Sequence, residues 1–252
     1  MVNKLFKLNI AVIVMLIEVV TCQNVYALRV PVGHHGRVEK ILSHAQDKPI
    51  PKVAVIILHY GKENGYGEQD TLELLGSLGD LSYTNYEIIL LDNNSPDNFF
   101  SKYKDILGYK FPSLSKITFI KSEVNLGFAE GNNLAMEYAL DDKADYFFLL
   151  NNDTVVNRDL LNKLVQASET SEVIGIVGPK IYKFYNPDTL DNVRGKFFGR
   201  AFKYEKINSG LHELDYVSGA AMLVKKGLLY KVGGMTKKAF YVWRGNGMGY
   251  EN

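Results

Sequence analysis

Asn151, Asn152 and Asp153 follow five aromatic or leucine residues, Tyr146–Leu150, and precede Thr154, Val155 and Val156. Amides and a carboxylate at the end of an apolar run offer hard oxygen ligands. These suit Mg2+ or Mn2+, which bind phosphates with few protein ligands. The same residues fit a turn that ends a buried strand. Polar stretches also end other apolar runs. Val53–Leu58 leads into His59, Tyr60 and Gly61, and the run starting at Tyr86 leads into Asp92, Asn93, Asn94 and Ser95. Ile117–Ser122 leads into Asn125, Gly127 and Phe128, and then into Gly131, Asn132 and Asn133. Asp92 can accept hydrogen bonds from a base or ribose. Gly127 and Gly131 permit close backbone approach. A helix starting near Gly131 would present free N–H groups and a positive dipole end to an anion. Together these groups describe a nucleoside diphosphate site. Singly, Asp92–Pro96 also fits a capping turn, Asn132 and Asn133 a helix cap, and Asp153 the cap of a helix near Arg158.

The elements that position these residues follow from periodicity. Residues 53–58, 86–92, 117–122, 146–151 and 174–182 are apolar runs of strand length. Between them, 69–78, 98–107, 132–142 and 158–169 carry helical spacing. Strands apolar on both faces and alternating with helices predict an α/β domain with a mostly parallel sheet covered on both sides. Ligands of such sheets bind at the carboxyl ends of the strands, where the polar stretches fall.

The chain has 252 residues, enough for one large domain with a real core. A net charge of +1 implies no polyanionic partner, and the single cysteine, Cys22, excludes an internal disulfide or a cysteine-based metal site. Lys4 and Lys7 precede an apolar run, Leu8–Val20, interrupted by Asn9 and Glu18. That run is short for a membrane span and fits a signal peptide cleaved near Ala27, or an anchor, so 1–30 reads as a targeting segment. A buried N-terminal helix or strand is the other reading. Residues 31–51, with three His and three Pro, read as a linker to a domain over 52–252. His34 and His35 have no third ligand spaced to join them. Arg194, Lys196, Arg200, Lys203 and Lys206 form a basic cluster that fits either a solvated hairpin or contact with a diphosphate or an anionic lipid-linked acceptor. No nucleic-acid-binding signature accompanies it.

The motifs VAVIILHYG, LLDNNSPDN, NLGFAEGNN, FLLNNDTVV, GIVGPKIY and DYVSGAAMLVKK…VGG, in that order over about 52–234, resemble the family 2 glycosyltransferases, in particular their rhamnosyltransferase-like branch. The resemblance implies the GT-A fold, a Rossmann-like nucleotide-binding sheet followed by an acceptor-side portion. It implies a nucleotide-sugar donor, a glycan or lipid-linked acceptor, inversion at the anomeric carbon and a divalent metal. Asp92 would contact the base. Asn151-Asn152-Asp153 would stand in for an Asp-x-Asp metal motif, with Asp153 the metal ligand. His59, Tyr60, Asn94, Asn125, Gly127, Phe128, Asn132 and Gly219, all within the quoted motifs, are the other donor-site candidates.

The family's general base is an acidic residue of a Glu-Asp pair that follows a Gly-Gly-Phe-Asp-Glu stretch. Here Met235 and Thr236 stand where Phe and Asp are expected. An ungapped reading puts Arg244 and Gly245 on the acidic pair, and a gapped one puts Glu251 and Asn252 there. Arginine stays charged and cannot deprotonate a hydroxyl, so Glu251 is the candidate base. The pattern implies an incomplete acceptor-side portion. It leaves two function classes: a sugar transferase, or a catalytically impaired or truncated relative that still holds a nucleotide sugar. Nucleotide sugars are made in the cytoplasm, so a donor-using domain belongs at the cytoplasmic face of a membrane. The basic leader favours the opposite orientation, and export after cleavage near Ala27 is the alternative.

Overall fold

The computed structural model describes residues 49–61, 67–114, 116–186, 211 and 217–235 in full, and the backbone of 13–16, 187–192, 196–198, 201–203, 210–213, 242–244 and 247–249. The rest of the leader and linker, the side chains of the basic cluster, and Glu251 lie outside the described residues.

Strands β1 (Val53–His59), β2 (Tyr86–Asp92), β3 (Ile117–Lys121) and β4 (Tyr146–Asn151) lie parallel in the order β3-β2-β1-β4. Helices α1 (Glu68–Leu78), α2 (Phe99–Tyr103), α3 (Leu107–Lys110), α4 (Gly127–Asp141) and α5 (Leu160–Glu169) make the connections. The sheet is apolar on both faces because both are covered. Val53, Val55 and Ile57 of β1 pack into one cluster with Leu74, Leu75 and Leu78 of α1 and Leu161 and Leu164 of α5. Ala54 and Ile56 point the other way, onto Ala135, Met136 and Ala139 of α4. This is the period-2 alternation of a strand serving two cores.

The run 174–182 does not form one strand. Only Ile176–Val177 (β5) joins the sheet. Pro179 has no N–H for a ladder, and at Gly178 a Cβ would lie 2.4 Å from Val217 Cγ1. Ile181–Lys183 instead pairs antiparallel with Asn186–Asn192, and Lys196–Phe198 with Ala201–Lys203, so hairpin backbone runs through the basic segment. A strand not expected from sequence, β6 (Ala221–Lys225), inserts antiparallel between β4 and β5, giving β3-β2-β1-β4-β6-β5. Helix α6 (Lys226–Val232) follows it. The helix expected over 98–107 is broken into α2 and α3, with Ile106 N–H donating to Tyr103 O at 3.0 Å in the break. At the N-terminus, Ile13–Leu16 is a short strand antiparallel to Gly210–Glu213. Among the described residues no helix is long and apolar enough to cross a membrane.

At the amino-terminal edge of the sheet, Glu87 is buried (1 % exposed) between Lys52 and Lys116, whose Nζ atoms lie 3.2 and 3.1 Å from Oε2. Both charges approach, yet neither makes a directed hydrogen bond to the carboxylate. Burial pushes the Glu87 carboxyl above its ordinary value; Asp142 adds to the shift, and Lys116 and Lys52 oppose it. An acid raised in the folded state contributes stability that is complete below its unfolded value and lost as pH rises through the folded one. Wild type is therefore expected to lose stability relative to Glu87→Gln in urea titrations as pH rises from 4.5. Asp142, held well below the usual range by Glu87, Lys116 and Lys52, acts in the opposite sense, and its contribution is lost only as pH falls below 3.8. A flat difference between the two proteins above pH 4.5 would contradict this account of Glu87.

Candidate functional site

The carboxyl ends of β1, β2 and β4 and the start of α4 border a cleft of about 280 Å³. Leu58 and Tyr60 line it from β1, Asn93 from β2, and Asn151, Asn152 and Asp153 from β4. Asn125, Gly127 and Phe128 close it from the head of α4.

Long-range hydrogen bonds assemble this rim. Asn93 Oδ1 accepts from Leu126 N–H at 2.9 Å, and its Nδ2 donates to Asn125 Oδ1 at 3.1 Å and Gly127 O at 3.3 Å. Asn125 Oδ1 also accepts from Gly127 N–H at 2.8 Å. Gly127 has φ +69, a conformation that glycine adopts without strain. The helix therefore starts at Gly127, not near Gly131, and Gly127 and Phe128 occupy its dipole-positive end. Gly131 serves packing rather than anion approach: a Cβ there would lie 2.6 Å from Leu58 Cδ2. On the β4 side, Asn151 N–H donates to Ala220 O at 2.9 Å, and Thr154 Oγ1 donates to Asn151 O at 2.7 Å. Gly219, in the turn before β6, brings its backbone against the Phe128 ring; a Cβ would meet Cζ at 3.3 Å.

Tyr60, Asn125, Gly127, Phe128, Asn151, Asn152 and Asp153 thus come together from the sequence-expected set, with Gly219 behind Phe128. His59, Asp92, Asn94 and Asn132 do not line the cleft. His59 is fully buried, stacked on Phe99 with ring centroids 3.9 Å apart. Its Nε2 lies 3.0 Å from Asp97 Oδ2 and its Nδ1 2.8 Å from Thr71 Oγ1. Asp92 accepts one backbone N–H on each carboxylate oxygen, from Ser95 at 2.7 Å and Phe100 at 2.9 Å, and so holds the loop after β2. Asn94 takes a left-handed turn position, φ +59. Asn132 is buried in the second turn of α4, where its Nδ2 donates to Phe128 O at 2.8 Å, so it caps nothing. Asn93 was not singled out from sequence, although it sits inside the polar stretch after β2. Thr71, whose hydroxyl meets Asn152 Nδ2 at 3.0 Å, carried no signal at all.

The chemistry of the cleft is oxygen-rich and anionic. Asp153 is exposed and accepts no hydrogen bond among the described residues. Among the described residues it is the only carboxylate of the lining, and no described lysine or arginine lines it. A diphosphate entering this cleft meets a like charge, a repulsion that grows as water is excluded. A hard divalent cation on Asp153, supplemented by the amide oxygens of Asn151 and Asn152, would reverse that sign. Among the described residues there is no group of three His, Cys, Asp or Glu to cage a metal. The donor set therefore fits Mg2+ or Mn2+ held mainly by ligand phosphates and water.

Comparison with known proteins agrees with this geometry. The family model for glycosyl transferase family 2 matches residues 54–233. A solved structure of a mannosyltransferase from Pyrobaculum calidifontis, in complex with GDP-Man and Mn2+, aligns at TM-score 0.52 and 18 % identity, over 79 % of this chain and 54 % of that one. A TarS 1–349 structure from S. aureus in complex with UDP aligns at TM-score 0.48 and 16 % identity, over 71 % of this chain and 48 % of that one. The chain thus spans about half the length of these solved proteins. No curated protein matches the sequence. The sheet order and the mannosyltransferase alignment identify the fold as GT-A, and the family match over 54–233 makes this chain a member of glycosyl transferase family 2.

Proposed function

We propose that this protein binds a nucleotide-sugar donor through a divalent cation and transfers the sugar, with inversion, to a hydroxyl of a glycan or lipid-linked acceptor. One observation carries the reading: the Asp153 carboxylate stands exposed at the end of β4, between strand-end amides and opposite the head of α4. Asp153 holds the cation, with Asn151 and Asn152 offering oxygens beside it. Held there, Mg2+ or Mn2+ would supply Lewis-acid chemistry and offset charge on the leaving diphosphate. Gly127 and Phe128 present the positive end of α4 to the same phosphates. Tyr60 and the Asn125 amide edge the space left for base and sugar. In the transfer step the acceptor hydroxyl gives its proton to a general base as its oxygen bonds the anomeric carbon. The carbon–oxygen bond to the diphosphate breaks on the opposite face, and its electron pair leaves on the β-phosphate oxygen. Glu251 is the proposed base. The mannosyltransferase neighbour's own complex with GDP-Man and Mn2+ supports the choice of donor class and metal. The rhamnosyltransferase-like branch rests on the motifs alone.

A second reading, donor binding without transfer, is favoured by Met235, Thr236 and Arg244 at positions where the family pattern carries Phe and acids. Incubation with UDP-, GDP- and dTDP-sugars and Mn2+ separates the two. Release of nucleoside diphosphate that depends on acceptor and metal is expected for the transferase. Metal-dependent binding with no release would establish the second reading, and no binding of any donor would overturn both.

A further inference from the structure

A buried line of side chains runs from the loop after β2, through β1 and α1, to the strand end beside Asp153, and its hydrogen inventory has a consequence for the cleft. Asp97 Oδ1 accepts from Phe99 N–H at 3.0 Å, and Oδ2 faces His59 Nε2 at 3.0 Å. A carboxylate only accepts, so Nε2 carries the hydrogen; in that tautomer Nδ1 is a lone pair. The single hydrogen of Thr71 Oγ1 has two acceptors, Nδ1 at 2.8 Å and Gly67 O at 2.9 Å, and none is left for Asn152. Its oxygen is left as an acceptor towards Asn152 Nδ2 at 3.0 Å. Gly67 O, 3.4 Å from the same nitrogen, is also an acceptor. Asn152 therefore faces two acceptors on its inner side. Its amide nitrogen must turn inward, and its carbonyl oxygen outward, towards the cleft. With the amide reversed, Oδ1 would oppose both the Gly67 carbonyl and a Thr71 oxygen with no hydrogen to give.

We propose that Thr71, its hydroxyl hydrogen committed to Gly67 O or to the buried His59, is a positioning residue that turns the Asn152 carbonyl oxygen towards the bound cation. This rests on the donor-site reading above, since it names a second oxygen for the cation placed on Asp153. It also gives the neutral Asn152 a defined polarity at a strand end with a single carboxylate. An asparagine free to flip would present its N–H2 to the metal in part of the population.

The test uses Thr71→Val, which keeps the shape and removes the hydroxyl, and Thr71→Ser, which restores it. Calorimetry with UDP, GDP and dTDP in Mn2+ is expected to show binding weakened about 10- to 100-fold in the valine variant, the usual effect of losing a partner that orients a metal ligand, and recovered in the serine variant. In an Asn152→Ala background, Thr71→Val should have no further effect, because its action passes through Asn152. Equal losses in both backgrounds would overturn the proposal, as would a serine variant no better than valine. Amide and imidazole NMR reads the orientation without any ligand. Asn152 Nδ2 protons slowed in exchange, released in Thr71→Val and protected again in Thr71→Ser, are expected, with His59 as the Nε2–H tautomer. An unchanged Asn152 signal in the valine variant would overturn the proposal. Absence of nucleotide binding by wild type would count against the donor site alone, and the NMR result would still decide the orientation.

Discussion

Asp153→Ala is expected to weaken Mn2+-dependent binding of a nucleoside diphosphate by about 100-fold or more, about 2.8 kcal/mol. Among the described residues the lining of the cleft has one carboxylate and neutral amides, so its removal leaves the cation with no charged ligand from that set. The sign should reverse without metal. In EDTA the variant should bind diphosphate no worse than wild type, because the like charge that repels the phosphates has gone. Folding stability should change by less than about 0.5 kcal/mol, since the side chain is exposed and without a described partner. Calorimetry with and without Mn2+, paired with urea unfolding, reads all three. A variant that binds as wild type in Mn2+, or that loses stability instead of affinity, would return Asp153 to the role of a turn residue.

Gly61→Ala should cost about 3 kcal/mol or more of stability, a loss far beyond ordinary glycine effects. The reason is space. A Cβ on Gly61 would lie 1.7 Å from Asp97 Oδ2, 2.5 Å from its Cγ and 3.0 Å from His59 Nε2. Asp97 cannot swing aside cheaply. Its other oxygen holds the Phe99 N–H at the start of α2, and the whole group is 5 % exposed. Moving it separates the buried His59–Asp97 pair and leaves both partners without compensation. Gly61 N–H also donates to Ser95 Oγ at 3.1 Å, so the two loops cannot part without breaking a further bond. Urea unfolding measures the effect. A loss below about 1 kcal/mol would show that the loops after β1 and β2 yield more easily than their packing implies.

The parallel sheet was legible because β1, β2 and β4 are apolar on both faces, and only a sheet covered twice accepts such strands. The strand-end rule then led directly to Tyr60, Asn125, Phe128 and Asn151–Asp153. It could not choose between His59 and Tyr60. Neighbouring side chains at a strand end point to opposite faces, and which face opens to the cleft depends on packing that adjacent sequence does not encode. Asp92 carries a related ambiguity. A carboxylate offered to a ligand and one capping the backbone of its own loop have the same one-letter neighbours, and here Ser95 and Phe100 each donate to one oxygen. The start of α4 was misplaced by about one turn because it depends on Asn93, more than thirty positions earlier, reaching across to Leu126 and Gly127. Strand β6 was missed because Ala221–Lys225 is short, and its place between β4 and β5 reverses the order of the chain. Thr71 looked like any polar residue in the first turn of a helix; besides Gly67, one turn earlier, its partners lie 12 positions before it and 81 after.

The claim that a cation on Asp153 holds a diphosphate in this cleft is tested most directly by paramagnetic broadening. Substoichiometric Mn2+ with UDP, GDP or dTDP is added to the isotope-labelled protein, and Mg2+ serves as the diamagnetic control. The account predicts selective loss of the Asn151, Asn152, Asp153 and Gly127 resonances with at least one of these nucleotides. The signals of Lys52, Glu87 and Lys116, at the opposite edge of the sheet, should remain sharp. Uniform weak broadening, or broadening centred away from the end of β4 and unchanged by Asp153→Ala, would contradict it.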